Sequence, residues 1–178
     1  PGPAEVTISG GVSIVDYDTP QSVALFGHMG ITRDDPRFFA AYIMNQILGG
    51  GSFDSRLMKE VREKRGLTYG VYSYLVPQDL ASVYMGQLGS ANSKMAEAVE
   101  VIQGEWQRLA SEGVTEKELT DAKTYLTGAY PLRFDGNARI ANILAAMQFD
   151  ELPIDYIDTR NDKVEAVTLE DIKRVSKR

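Results

Sequence analysis

Residues 48–74, LGGGSFDSRLMKEVREKRGLTYGVYSY, constrain the fold more than any other part of the chain. An apolar helical run has to stop at Gly49, because glycine is the usual residue at a helix C-terminus. Gly49, Gly50 and Gly51 together exceed what a cap needs. They predict a loop that bends sharply or approaches another backbone closely. Leu57, Met58 and Val61 then space out a short helix over residues 55–64, which Gly66 ends. Residues 67–75 read as a tyrosine-rich strand, with Tyr72 and Tyr74 on one face and Tyr69 on the other. The segment thus runs from a helix end through a glycine loop, a short charged helix and a tight turn into a strand.

The flanking sequence extends this pattern. Residues 12–17 and 22–29 read as strands, with Asp18, Thr19 and Pro20 as the turn between them. In the loop at 31–36, Asp34 or Asp35 can cap a helix, and Pro36 suits its first position. Phe38, Phe39, Tyr42, Ile43 and Ile47 follow at helical spacing. Residues 81–88 form a fourth strand, joined to 67–75 through Pro77, Gln78 and Asp79. Beyond residue 90 the periodicity is helical. A helix over 93–110 carries Met95, Ala98, Val99, Ile102, Trp106 and Leu109 on one face. Thr115 and Glu118 make a capping box for a helix to about Ala129, and Pro131 breaks it. Residues 135–149 form another helix, with Ile140, Ile143, Leu144 and Met147 inward. A short helix spans 153–161, and Thr168 with Asp171 caps a last one. The expected fold is one α+β domain over 1–178, two-layered, with an antiparallel or mixed sheet and helices packed on one face.

Composition excludes some functions. The formal net charge is −6, which argues against nucleic acid as the main partner, since phosphate binding wants a basic stripe. There is no cysteine, so disulfides and thiolate zinc sites are excluded; compartment is left open. No apolar run approaches the roughly 20 residues of a membrane span. The opening PGPAEVTISGG lacks the basic and apolar regions of a signal peptide.

His28 is the single histidine, and no H-x-x-E-H motif accompanies it. A zinc hydrolase site needs several converging ligands, so His28 reads as a packed or partly exposed strand residue. The glycine loop lacks the lysine and hydroxyl residue of a P-loop, and no strand immediately precedes it. Arg62 and Tyr69 lie across the Gly66 turn. The first offers a forked set of donors and the second a phenolic O–H, suited to peptide carbonyls or a developing oxyanion. Taken alone, an arginine among Lys59, Glu60, Glu63 and Lys64 is more often a solvated helix residue. An aromatic strand can also serve as an edge for an extended peptide.

Several runs together resemble the pitrilysin/insulinase family of zinc metallopeptidases, which includes the mitochondrial processing peptidases. They are Arg33-Asp34-Asp35-Pro36, Leu48-Gly49-Gly50-Gly51, Ser55-Arg56-Leu57, Val61-Arg62-Glu63 and Arg65-Gly66-Leu67-Thr68-Tyr69-Gly70-Val71. Gly113-Val114-Thr115 with Glu118-Leu119 and Ala122-Lys123 fits the same pattern, as does Val167-Thr168 with Asp171-Ile172. The chain resembles the C-terminal, non-zinc domain of a family subunit. The resemblance implies that this domain binds no metal and that zinc sits in a zinc-bearing N-terminal domain. It also implies a second subunit, as a homodimer or heterodimer, closing like a clamshell over a peptide or unfolded protein substrate. Arg62 and Tyr69 map onto the residues that grip the substrate backbone, and Gly49, Gly50 and Gly51 onto a lining loop. The alternative within the same fold is a non-catalytic structural subunit. The chain stops at Ser176-Lys177-Arg178, before the closing strand such a domain is expected to have.

Overall fold

A computed structural model describes Gly2, Ala4, Thr7 and residues 9–51, 54–78 and 80–177. Three strands, β1 (Gln21–Met29), β2 (Val71–Val76) and β3 (Val83–Ala91), form an antiparallel sheet of order β1-β3-β2. Leu88 of β3 faces Ala24 on one side and Val71 on the other. Alternation puts Ala24, Phe26, Val71, Ser73, Tyr84 and Leu88 on the covered face. The turn between β2 and β3 includes Asp79, which lies outside the described residues. Gln78 N–H bonds to the Val76 carbonyl, and the Ser82 hydroxyl donates to the Gln78 carbonyl at 2.9 Å.

Among the described residues six α-helices accompany the sheet: α1 (Phe38–Leu48), α2 (Met95–Glu112), α3 (Glu116–Ala129), α4 (Asn137–Phe149), α5 (Tyr156–Glu165) and α6 (Leu169–Val175). Helix α1 is apolar almost all round and lies between the sheet and α3, α5 and α6. A helix without a polar face has to be buried in this way. Ile43, Leu48, Leu57, Val61, Val71, Val164 and Ile172 are fully enclosed in one continuous core. Both capping boxes form: Thr115 with Glu118 opens α3, and Thr168 with Asp171 opens α6.

The structure differs from the sequence reading in five places. The short helix read over 153–161 runs instead over Tyr156–Glu165, entered through a turn in which the Pro153 carbonyl takes the Tyr156 N–H. Residues 12–17 pair with no strand among the described residues. Val12, Ile14, Val15 and Tyr17 are 80–86% exposed. β-propensity alone does not make a strand without a neighbouring ladder. Asp35 caps the chain before α1, its carboxylate taking the Arg37 N–H at 2.8 Å, but its carbonyl takes the Phe38 N–H in a tight three-residue turn, so the regular helix begins at Phe38 rather than Pro36. Residues 67–70 are a turn and not the start of β2, for reasons given below. In α4 Met147 is buried but Leu144 is 47% exposed, since nothing covers that side of the helix among the described residues.

Candidate functional site

Arg62 and Tyr69 both belong to the segment that joins the glycine loop to β2. Its first anchor is Arg56, 8% exposed. Arg56 Nε and Nη2 donate to the two Glu118 carboxylate oxygens at 2.6 and 2.8 Å, and Nη2 also reaches the Gly113 carbonyl at 2.9 Å. This fork ties the segment to the start of α3. Burial pushes the Glu118 carboxyl up. The Arg56 hydrogen bonds, with those from Thr115, outweigh that and hold it down at about 2.

From Met58 to Glu63 the helix widens to π geometry, with Lys64 N–H bonded to the Lys59 carbonyl five residues back. Such single wide turns are frequent at functional sites. Leu57, Met58 and Val61 fix its inner face in the core, leaving Arg62 half-buried on the last turn. Hydrogen bonds from Lys64 and then Arg65 hold the Glu60 carboxyl below its usual range.

Gly66 adopts φ +60°, a conformation that favours glycine, and its N–H returns to the Arg62 carbonyl at 2.8 Å. Leu67 N–H goes back to Val61 at 3.0 Å instead of joining the sheet. The Thr68 hydroxyl donates to the Gly89 carbonyl at 2.6 Å and accepts the Gly70 N–H at 3.1 Å. Ser90 Oγ donates to the Leu67 carbonyl, and Lys94 Nζ to that of Gly66. Local side-chain bonds of this kind compete with a ladder, which is why β2 starts only at Val71. Between these fixed residues Tyr69 stands 88% exposed.

The glycines divide by role. Gly49 is buried and its carbonyl accepts the Ser73 N–H of β2 at 2.8 Å. A Cβ at Gly49 would lie 2.5 Å from Ser73 Oγ and 2.9 Å from Ser73 N, so helix end and strand touch backbone to backbone. Gly50 packs on Gln46, and Gly51 turns away at φ +89°. Ser52 lies outside the described residues. The Gly49 N–H is spent on the Asn45 carbonyl. That removes one donor from any anion cradle.

Under this junction Ser73 Oγ donates to Asn45 Oδ1 at 2.8 Å, and the Tyr84 hydroxyl lies 3.4 Å from Ser73 Oγ. Burial pushes the Tyr84 hydroxyl far up. Single-residue patterning gives no sign of Asn45, Ser73 or Tyr84 as a unit, because their partners are distant in sequence. The same holds for Arg56 with Glu118.

His28 is exposed on β1, edge-on to Tyr84 and Trp106, and accepts the Trp106 Nε1–H at 3.4 Å. Among the described residues no group of three His, Asp or Glu side chains could hold a metal ion. The donor set here does not fit zinc. No helix of the described residues is long and apolar enough to cross a membrane.

Comparison with known proteins places this segment in a family. The family model described as the peptidase M16 inactive domain matches residues 1–126. An uncharacterized zinc protease of Streptomyces coelicolor is 28% identical over 99% of this chain and 38% of its own length. A protein of Helicobacter pylori named a non-peptidase homolog is 30% identical over 87% of this chain and 36% of its own. The crystal structure of a peptidase M16 inactive domain from Pseudomonas fluorescens superposes with a TM-score of 0.82 at 37% identity, covering 90% of this chain and 38% of that one. The chain thus spans well under half the length of these relatives. Its helix–turn–strand core and most of its sequence match, and the chain belongs to the family of inactive domains of M16, zinc-protease-like proteins.

Proposed function

We propose that this chain is the C-terminal, non-zinc domain of a larger peptidase subunit. It closes over an active site carried by a zinc-bearing domain and grips the substrate there. The observation that carries this reading is Tyr69. An aromatic side chain in water, held on a turn fixed by Leu67, Thr68 and Ser90, is preorganised to meet something outside the domain.

Arg62 and Tyr69 present guanidinium and phenol donors, while carbonyl groups of an extended peptide offer only acceptors. Two donors fixed beside a scissile bond stabilise charge developing on its oxygen more than they stabilise the resting carbonyl. Arg56 and Glu118 are positioning residues, because they fasten the segment to α3 without facing it outward. In this reading the exposed Gly51 end of the glycine loop also faces the substrate, while Gly49 is held against β2. The greater length of the zinc-protease relatives supports a further, zinc-bearing domain in the parent protein.

The test is turnover of a fluorogenic peptide by the parent protein assembled with its zinc-bearing domain. Arg62→Ala and Tyr69→Phe should each lower it about ten- to a thousandfold, the range for a lost transition-state donor. Unchanged turnover in both variants refutes the assignment. It leaves the second reading, a structural subunit, for which the relative named a non-peptidase homolog is the supporting observation.

A further inference from the structure

The helical side of the domain carries an open pocket of about 330 Å³ that neither Arg62 nor Tyr69 lines. Among the described residues, three arginines, Arg33, Arg133 and Arg160, stand on its wall against one carboxylate, that of Asp150. Arg160 is 4% exposed. Its Nη1 donates to the Leu126 carbonyl and to Asn161 Oδ1, each at 2.8 Å, and its Nη2 lies 3.4 Å from the Tyr42 hydroxyl. Every one of these acceptors is neutral. The guanidinium also sits 4.5 Å from the centre of the Tyr130 ring.

Arg33 lies 4.3 Å over the Phe38 ring and donates to the Tyr156 hydroxyl at 2.6 Å. Among the described residues, none of the three arginines has a carboxylate within ion-pair distance. A buried guanidinium compensated only by dipoles and ring faces is an incomplete arrangement, because a buried charge is costly unless an opposite charge meets it. Phe39, Ile143 and Met147 make much of the remaining wall apolar.

We propose that this pocket binds a carboxylate carried on a small apolar body. The volume is near the lower limit of ligand pockets, enough for one ring or branched chain with its charged group. Arginine forks match a carboxylate two bonds at a time, and the aromatic wall accepts the apolar part. The carboxylate can belong to a free small molecule or to an acidic side chain of another polypeptide segment.

Benzoate is the probe, with benzamide as its uncharged match, titrated into the full chain while the Tyr130 and Tyr156 ring resonances are followed. Benzoate should bind saturably and at least about tenfold more tightly than benzamide, as expected for one charge-assisted bond or more. Arg160→Met risks the fold, so Arg133→Gln, at an exposed position, is the variant to use. It should weaken benzoate about tenfold and leave the chain folded. Displacement of benzoate by the capped peptide acetyl-Leu-Glu-Leu-amide assigns the site to an acidic side chain. Saturable benzoate without displacement assigns it to a free carboxylate. No saturable shift, equal binding of benzoate and benzamide, or an unchanged Arg133→Gln variant overturns the proposal.

Discussion

Replacing Glu118 by glutamine should make stability lose a specific part of its pH dependence. The Glu118 carboxyl is held at about 2, against an ordinary 4.5, and its side chain is 29% exposed. At 1.36 kcal/mol per pKa unit that difference corresponds to about 3 kcal/mol. Removing one partner of a buried pair costs about 3–5 kcal/mol by experience elsewhere, which agrees in size. Because the folded-state value is depressed, this stability is fully present above pH 4.5 and is lost as pH falls towards 2. Glutamine keeps an oxygen for the Thr115 N–H, so the helix cap largely survives while the charge does not. Urea unfolding at pH 7, 4.5 and 2.5 is the assay. The variant should be about 3 kcal/mol less stable at pH 7, and the gap should close progressively below pH 4.5. A gap under about 1 kcal/mol at pH 7, typical of exposed pairs, would refute the reasoning. So would a gap that does not change with pH.

Three further outcomes follow from the packing. Gly49→Ala places its Cβ against Ser73 backbone and should cost about 1–3 kcal/mol in denaturant unfolding. Gly104→Ala, in open space on an exposed turn of α2, should instead gain about 0.5–1 kcal/mol in the same measurement. Thr68→Val strips the hydroxyl that serves the Gly89 carbonyl and the Gly70 N–H, and should cost about 1–3 kcal/mol. It should also speed amide hydrogen exchange at Gly70, since the turn that presents Tyr69 loses its fastening.

Short-range signals carried most of the fold. The Thr115–Glu118 and Thr168–Asp171 boxes lie within one turn each, so local chemistry alone decides them. The β2–β3 hairpin and the apolar periodicity of α1 and α2 were legible for the same reason. Residues 12–17 had strand composition but pair with no strand among the described residues, and composition says nothing about partners. Residues 67–70 had it too, yet Thr68 and Leu67 find hydrogen bonds elsewhere. Leu144 fits a helical stripe that nothing covers among the described residues. Of the proposed site, Arg62 and Tyr69 rest on the family resemblance, since donor chemistry taken alone leaves Arg62 a solvated helix residue. Arg56 with Glu118, and Arg33 with Tyr156, join residues 62 and 123 apart in sequence. Only the fold brings such pairs together.

We propose that this domain completes a peptidase together with a zinc-bearing domain. The most direct test measures fluorogenic peptide cleavage by the zinc-bearing domain alone, by this chain alone, and by the two assembled, with and without a chelator. The account predicts cleavage in the assembled mixture only, abolished by the chelator. Equal cleavage by the zinc-bearing domain alone and by the assembly would contradict it.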